Sequence, residues 1–410
     1  MKYLQHGGIC VVAGEASGDI QGALLIKALK EEITQKNLPQ QHFWGSVGPH
    51  MRHLGVEDIV KVEELAVFGL TEIISHYSFI SNAYKKLMKE IIVRRPTAVI
   101  LIDYPGFNLK LLQDIYALGN TVIYHIPPKA WSHGQKRTEL LKKYCHLVTS
   151  ILPFETKFFN EHKVNTVFVG NPLKDNVDQF LKEKHIEKIP FRVGILPGSR
   201  KSEIKNLLPL LIDSFIELQK IEPKVMGDLP IAPTLDQNFV KNIVYSTANK
   251  HGLSNEWVEQ KILFGLGNAY EVMARSSYAW VCSGTATLET AFFNTPMSVF
   301  YKLAPLTAYV AKKVIKVKFV SLVNLTEDKE IIPEYLQENA TTENLVSHAL
   351  KIFNDENYKN KIISELAKVR NAFPSNAAKN AADAILNCID IYNIPPEYKF
   401  KLHNEKRIKQ

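Results

Sequence analysis

Two loops in the second half of the sequence carry residue types that bind phosphate. The loop Leu196–Arg200 (LPGSR) lies between an apolar, strand-like run and a helical pattern that begins near Ile204. The backbone N–H groups of Gly198 and Ser199, the positive end of the helix and the guanidinium of Arg200 suit an anionic diphosphate. The competing interpretation is an ordinary turn between a strand and a helix, with an arginine at the surface.

The second loop is SGTATLE, residues 283–289, and it also opens a helix after an apolar run. Ser283, Gly284 and Thr285 offer N–H and hydroxyl donors. One turn further, Glu289 can accept two hydrogen bonds from a ribose diol, or serve only the helix N-terminus electrostatically. Two such loops predict a nucleotide diphosphate as ligand. Neither is a Walker A motif or a G-x-G-x-x-G fingerprint, which argues against a P-loop NTPase and a dehydrogenase.

A candidate general base lies in the first half of the sequence. Asp103 comes directly after the apolar run Ala98–Ile102, where a carboxylate would face the cleft of an α/β domain. It could equally be the N-cap of the next helix. His125 and Trp131 follow the next strand-like run, and both are interpreted as structural residues.

Short apolar runs followed by helical patterns predict the elements that position these groups. In the first half the runs are Ile9–Ala13, Ala98–Ile102 and Thr121–Tyr124. Strands that are apolar on both faces are typical of a parallel sheet covered by helices. A second series begins at Phe191–Leu196 and continues with runs from Val225 onward and at Lys261–Phe264, Tyr278–Cys282 and Met297–Tyr301.

The two series predict two doubly wound domains. The polar stretch Lys174–Lys188 has no strand signal, so we expect a first domain over residues 1–174 and a second over 190–372. Residues 373–410 then form a C-terminal helix and a basic tail, with the stretch Thr342–Tyr392 predicted as two helices separated near Pro374. Ligands usually bind at the carboxyl ends of the strands in such sheets, so we expect the chemistry in a cleft between the domains.

Composition excludes several classes of protein. With 410 residues, 46% hydrophobic and 22% charged, the chain is neither disordered, collagenous nor a multi-span membrane protein. Its four cysteines lie far apart, which argues against a disulfide framework or a structural zinc site. The first residues contain no signal-peptide or membrane-spanning run, so we expect a cytosolic or peripheral protein. The net charge of +8 favours anionic partners, and no nucleic-acid-binding motif is present.

Two segments combine apolar and basic residues. They are Leu65–Tyr84, which leads into a run of lysines and arginines, and Lys302–Lys318. Such segments suit a membrane surface or an acyl pocket, and a buried helix is the alternative.

Taken together, nine ordered motifs resemble the lipid-A-disaccharide synthase family. They run from Gly14 to about Gln337 and are GEASGD (14–19), GPHM (48–51), GLTE (69–72), IDYPGFN (102–108), LPFE (152–155), FVGNPL (168–173), LPGSRKSEI (196–204), SGTATLE (283–289) and IPEYLQ (332–337). The resemblance implies a GT-B glycosyltransferase with two Rossmann-like domains, the donor nucleotide on the C-terminal one and the acceptor on the N-terminal one.

The resemblance also implies a reaction and its setting. A 2,3-diacylglucosamine unit passes from UDP to the 6-hydroxyl of 2,3-diacylglucosamine 1-phosphate (lipid X), giving a β-1,6 disaccharide and UDP. This is a step of lipid A synthesis, expected at the cytoplasmic face of a Gram-negative inner membrane. The implied partners are these two substrates and the membrane surface, without nucleic acid, and a homodimer is compatible with the sequence.

On the acceptor side the resemblance points to a set of polar residues, namely Glu15, Ser17, Asp19, Asn108 and Asn171. The same half departs from the usual family pattern. Gly106 stands where a second aspartate is common, Val47 stands in a glycine-rich stretch, and Asn171 replaces a histidine. The segment Pro127–His133 keeps one of two tryptophans. The donor loops are intact, so UDP binding is the more secure expectation.

An α-linked donor that gives a β product requires inversion, hence one in-line displacement with one base. We assign the base to Asp103, which with an ordinary pKa near 4 takes the proton as the C–O bond forms. Since no cluster of acidic metal ligands is evident, Arg200 and the two phosphate-binding loops are expected to stabilise the leaving diphosphate. No metal and no cofactor are expected.

Three other functions remain open from the sequence. Another GT-B enzyme, such as a UDP-sugar epimerase or a peptidoglycan-type transferase, would share the donor loops. A catalytically weakened protein would bind UDP and lipid without releasing UDP on mixing. A membrane-associated structural protein would have no affinity for nucleotides.

Overall fold

The computed structural model describes residues 7–65, 73–132, 134, 136–302 and 318–392. The chain divides into two compact units. The first combines the residues up to Pro172 with those from Asn376 onward, and the second runs from Leu173 to Ser375. Each unit is built around one parallel β-sheet with helices between successive strands.

The sheet of the first unit has seven strands in the order β3-β2-β1-β4-β5-β6-β7. All neighbours pair in parallel. The strands are β1 (Ile9–Val12), β2 (Phe43–Val47), β3 (Glu57–Lys61), β4 (Ala98–Ile102), β5 (Thr121–His125), β6 (Leu147–Ser150) and β7 (Thr166–Phe168).

Helices connect these strands. They are α1 (Ala16–Gln35), α2 (Pro49–His53), α3 (Val62–Leu65), α4 (Ile73–Arg94), α5 (Pro105–Ala117), α6 (Lys136–Tyr144) and α7 (Pro153–Glu161). Side chains along β1 alternate between two cores: Ile9 and Val11 pack in one, Cys10 and Val12 in the other. Because both faces are covered, the strand is apolar throughout.

The second unit has six parallel strands in the order β10-β9-β8-β11-β12-β13. They are β8 (Ile189–Leu196), β9 (Met226–Ile231), β10 (Ile262–Leu266), β11 (Ser276–Cys282), β12 (Met297–Tyr301) and β13 (Glu334–Leu336). The helices from the start of this unit onward are α8 (Pro172–Glu183), α9 (Lys201–Ile221), α10 (Gln237–Lys250), α11 (Asn255–Lys261), α12 (Ala269–Arg275), α13 (Thr285–Phe292), α14 (Leu322–Glu327), α15 (Thr342–Asn354), α16 (Glu356–Asn371) and α17 (Ala377–Tyr392).

The C-terminal stretch contains three helices, so the prediction of two was wrong. The missed break is at Asp355, whose carboxylate accepts a hydrogen bond from the N–H of Tyr358 at 2.9 Å and caps α16. The predicted break near Pro374 is present between α16 and α17. The polar stretch Lys174–Lys188 lacks a strand as expected, although α8 occupies most of it.

The last helix packs against the first. Residues of α17, among them Ile385 and Ile389, share a core with Ile26, Leu29 and Ile33 of α1. The end of the chain therefore completes the unit that its beginning starts.

Much of the two apolar-basic segments lies outside the described residues. Residues 66–72 of the first and 303–317 of the second are not described. Among the helices that the structure describes, none has the length and apolarity needed to cross a bilayer.

The packing of α17 predicts how much stability the protein loses when one of its buried side chains is shortened. Ile385 is fully buried, so Ile385→Ala removes transfer free energy and leaves a cavity. We expect a loss of about 2–5 kcal/mol in the free energy of unfolding, measured by urea denaturation. Asn387→Ala, at an exposed position of the same helix, is the control and should change it by less than about 0.5 kcal/mol. Equal effects for the two variants would contradict this packing.

Candidate active site

The strand order of the first sheet reverses between β1 and β4. Loops that leave the carboxyl ends of these two strands turn to opposite faces of the sheet, which opens a crevice where ligands bind in doubly wound folds. Glu15 follows β1, and Asp103 follows β4. The structure therefore brings two of the predicted site carboxylates to the same point of the sheet.

Asp103 has an unusual environment. It is half-buried, and both it and Tyr104 adopt left-handed backbone conformations, with φ of 46° and 45°. Burial raises the pKa of the Asp103 carboxyl, and the negative charge of Glu15 raises it further. The ordinary pKa assumed from sequence is therefore corrected upwards, which makes this carboxylate a stronger base.

Glu15 and Ser17 lie at the surface beside this carboxylate. Ser17 Oγ donates a hydrogen bond to Glu15 Oε1 at 2.6 Å, and both residues are exposed. They remain available to a ligand at the first sheet.

Asp19 has a different role from the one predicted. Its side chain is 1% exposed and accepts three backbone N–H bonds, from Gly48 at 2.9 Å, His50 at 2.8 Å and Met51 at 3.1 Å. These N–H groups belong to the start of α2, so the carboxylate caps that helix. Asp19 therefore positions the GPHM segment, and the prediction that it faces an acceptor is replaced.

Asn108 and Asn171 are also buried. Asn108 Nδ2 donates to the carbonyl oxygens of Asp103 at 2.8 Å and Ile102 at 3.1 Å. Asn171 Nδ2 donates to the carbonyl oxygen of Ile151 at 3.2 Å. Both amides bind the protein backbone, so of the five predicted acceptor-side residues only Glu15 and Ser17 are exposed.

A buried acid that the sequence did not single out lies near Asp103. Glu155, in the first turn of α7, is 3% exposed. It accepts hydrogen bonds from Trp131 Nε1 at 2.8 Å and Ser150 Oγ at 2.9 Å. Burial raises the pKa of Glu155 to about 7, and the negative charge of Asp103 adds to the shift. The LPFE motif was the one sequence signal that included Glu155. Its pairing with Trp131 was not predictable from that motif, because the two residues lie 24 positions apart.

The surroundings of His125 and of two departures from the family pattern differ from one another. His125 is buried, bonds to Thr149 Oγ1 at 2.8 Å and has its pKa lowered to about 4 by burial, as expected of a structural histidine. Val47 is buried in β2. Gly106 has open space around it, since a Cβ there would meet no atom within 4 Å. His133 lies outside the described residues.

In the second sheet the strand order reverses between β8 and β11. The predicted phosphate loops follow these two strands: Gly198–Arg200 after β8 and Ser283–Thr285 after β11. Both loops therefore leave the sheet at its switch point, the place where nucleotides bind in such folds.

The first loop already binds an oxyanion of the chain itself. Glu203 Oε2 accepts hydrogen bonds from the N–H groups of Ser199 and Arg200, each at 3.2 Å, and Arg200 Nη1 donates to Glu203 Oε1 at 3.3 Å. Gly198 is required here, since its φ is +108° and a Cβ would lie 2.3 Å from the Glu203 carboxylate. The side chain of Arg200 is 80% exposed.

The second loop is open to solvent at its tip. Gly284 and Thr285 are exposed, while the N–H of Ser283 is engaged with the carbonyl oxygen of Phe300 at 3.1 Å. The loop's free donors are therefore at its tip and at the start of α13.

Glu289 lies further along α13 and faces an aromatic group. It accepts a hydrogen bond from the hydroxyl of Tyr270 at 2.9 Å, and burial raises the pKa of its carboxyl. Tyr270 also lines an open groove of about 530 Å³ formed by the end of α8 and the loop after β10, together with Phe180, Lys184 and residues 266–271. In the part of the chain that the structure describes, no group of three His, Cys, Asp or Glu side chains could hold a metal ion.

Comparison with known proteins identifies the family of the chain. The family model described as lipid-A-disaccharide synthetase matches residues 9–386. A lipid-A-disaccharide synthase from Trichlorobacter lovleyi is 33% identical over 389 residues, which cover 93% of this chain and 97% of the relative. One from Nitrosococcus oceani is 32% identical over 392 residues, 94% of this chain and 97% of the relative.

Solved structures show the same fold at low identity. The UDP-GlcNAc 2-epimerase from Neisseria meningitidis bound to UDP-GlcNAc has a TM-score of 0.57, 12% identity, and covers 93% of this chain and 99% of its own. The glycotransferase of kitacinnamycin has a TM-score of 0.59, 12% identity, and coverage of 93% and 98%. At this identity the likeness concerns the fold alone, and it confirms the predicted GT-B class.

The buried acid predicts a pH dependence of stability. Folded Glu155 keeps its proton up to about pH 7, whereas the unfolded chain releases it near pH 4.5. Between these values the folded state binds more protons, so this residue's contribution to the free energy of unfolding falls as pH rises. Glu155→Gln should flatten that slope and gain up to about 3 kcal/mol relative to the parent between pH 4 and pH 8.

Urea denaturation at a series of pH values measures this effect. Glu161→Gln, at an exposed position of the same helix, is the control and should keep the parent slope. If the free energy of unfolding of Glu155→Gln falls with pH as steeply as that of the parent, Glu155 is not the titrating group.

Proposed function

Because the chain belongs to the lipid-A-disaccharide synthase family, we propose that it transfers 2,3-diacylglucosamine from UDP to the 6-hydroxyl of 2,3-diacylglucosamine 1-phosphate. The product is a β-1,6 disaccharide, and UDP leaves. The chain is thus a UDP-sugar-dependent glycosyltransferase of the GT-B class, placed in lipid A biosynthesis.

The observation that carries the donor half of the proposal is the oxyanion site after β8. The N–H groups of Ser199 and Arg200 converge on one carboxylate oxygen of Glu203. This point lies at the N-terminus of α9, where the helix dipole also favours negative charge. A diphosphate oxygen presents the same charge and acceptor geometry. We place it where the Glu203 carboxylate now lies, with the exposed Arg200 side chain folding over it.

Residues in and near the loop after β11 would bind the rest of the donor nucleotide. The tip of the loop after β11, at Gly284 and Thr285, supplies further donors to the diphosphate. Glu289 accepts from the ribose hydroxyls. The groove beside Tyr270 takes the uracil, since an aromatic wall suits a planar base.

At the first sheet, Asp103 acts as the base. The acceptor 6-hydroxyl oxygen attacks the anomeric carbon of the donor sugar as the bond from that carbon to the diphosphate oxygen breaks. The hydroxyl proton passes to the Asp103 carboxylate, and the electron pair of the broken bond leaves with UDP. The raised pKa of Asp103 favours this transfer, because a more basic carboxylate takes a proton more readily.

The acyl chains of both substrates require contact with lipid. Helix α4 exposes the apolar side chains of Phe79, Ile92 and Val93, and it also exposes Lys86 and Lys89. Exposed apolar and basic residues on one helix suit an anionic membrane surface. We therefore propose peripheral attachment at the inner face of the inner membrane, with a homodimer as a further proposal.

The first test concerns the base. Asp103→Asn keeps the size of the side chain and removes its basicity, so UDP release on mixing donor and acceptor should fall by about 10²–10⁴-fold. Affinity for UDP, measured by calorimetry on the same variant, should stay unchanged. Undiminished turnover would exclude Asp103 as the base, and a parent protein that binds UDP without turnover would instead be a weakened binding protein.

The second test concerns the diphosphate. Arg200→Ala removes charged hydrogen bonds to the ligand and should weaken UDP binding by about 10- to 100-fold in calorimetry. Lys205→Ala, at an exposed position of α9, the helix that follows Arg200, is the control for loss of positive charge and should bind UDP nearly as the parent does. Equal affinities for Arg200→Ala and the parent would contradict the donor site.

A further inference from the structure

The turn that carries Asp103 is held in a strained conformation. Asp103 and Tyr104 are consecutive non-glycine residues with φ of 46° and 45°, and α5 begins at the next residue, Pro105. Left-handed conformations are unfavourable for residues other than glycine and persist only where surrounding contacts determine them. The contacts that do so lie on three sides of the turn.

Hydrogen bonds hold the backbone of Asp103 itself. Its N–H donates to the carbonyl oxygen of His125 at 3.0 Å, which extends the ladder between β4 and β5 by one residue. Its carbonyl oxygen accepts from the hydroxyl of Tyr124 at 2.7 Å and from Asn108 Nδ2 at 2.8 Å. Both lone pairs of that oxygen are therefore engaged by side chains.

The ring of Tyr104 is fixed from the side of β1. A Cβ at Gly14 would lie 1.9 Å from Tyr104 Cδ1, so the ring packs directly on the glycine backbone. Tyr124 is fully buried, and burial raises the pKa of its hydroxyl well above the ordinary value, so it stays a donor at every working pH.

We propose that Tyr124 is a positioning residue for the transfer reaction. Together with Asn108 it clamps the peptide between Asp103 and Tyr104, and thereby fixes the direction in which the Asp103 side chain leaves the backbone. The inference rests on the proposed function, in which Asp103 is the base. If these hydrogen bonds are lost, Asp103 and Tyr104 relax towards negative φ. The Asp103 carboxylate then moves away from the acceptor hydroxyl.

Tyr124→Phe removes a single hydroxyl and tests the clamp. Because misplacing a catalytic group by about 1 Å can cost about 100-fold, we expect kcat to fall by about 10- to 100-fold. The KM for each substrate and the Kd for UDP should stay at the parent values. The matched control is Tyr278→Phe, another fully buried tyrosine, whose hydroxyl donates to Ser298 Oγ at 2.8 Å in the second unit. It should keep the parent kcat.

A second variant guards against misfolding. Asn108→Ala removes the other donor and should produce the same split between kcat and KM. Since both side chains bind one carbonyl oxygen, their effects on kcat should be non-additive in the double variant. If Tyr124→Phe fails to fold in a circular dichroism melt, the Asn108→Ala result decides alone.

The outcomes separate this inference from the proposed function. Parent kcat in the folded Tyr124→Phe and Asn108→Ala variants, with Asp103→Asn inactive, would overturn the clamp alone. Full activity of Asp103→Asn would overturn the proposed base and the clamp with it. A raised KM at parent kcat would show that Tyr124 acts on substrate binding, which also contradicts positioning of the base.

Discussion

The geometry of the parallel sheet is the constraint on which the sites depend. Because every strand in each unit runs the same way, all carboxyl ends lie along one edge, and the order reverses at one pair of strands. The candidate base follows β4 at one reversal, and the two predicted phosphate loops follow β8 and β11 at the other. Residues far apart in sequence thus become neighbours within each unit without any special contact to bring them together.

In both units a carboxylate accepts hydrogen bonds from N–H groups at the start of a helix, but the two carboxylates differ in their surroundings. Asp19 caps α2, and Glu203 caps α9. Asp19 is 1% exposed and cannot be exchanged for a ligand, so it serves the fold. The loop bound by Glu203 is exposed, so its N–H groups can pass from an internal carboxylate to an external anion at little cost in desolvation.

The sequence predicts the strands that are apolar on both faces. The strands β1, β4 and β5 lie within one residue of their predicted limits, because their apolar runs are short and sharply bounded. It misses β2, which contains Gly45 and Ser46, and it also misses β3, β6, β7 and β13, of which β7 and β13 have only three residues each. The position of Asp103 directly after β4 follows from the local pattern, whereas the burial of Asp19 and the pairing of Glu155 with Trp131 depend on contacts between distant segments that no local pattern contains.

The departures from the family pattern can be sorted by what surrounds them. Positions that hold the fold keep their small or capping residues: a side chain at Gly14 would meet the ring of Tyr104, and one at Gly48 would meet the Asp19 carboxylate. Gly106 stands in open space, so an aspartate there would disturb no packing. The departure at Gly106 therefore leaves the packing of the first unit unchanged. The turn at Asp103 does not depend on it either, because Tyr124 and Asn108 hold the Asp103 carbonyl oxygen from other elements.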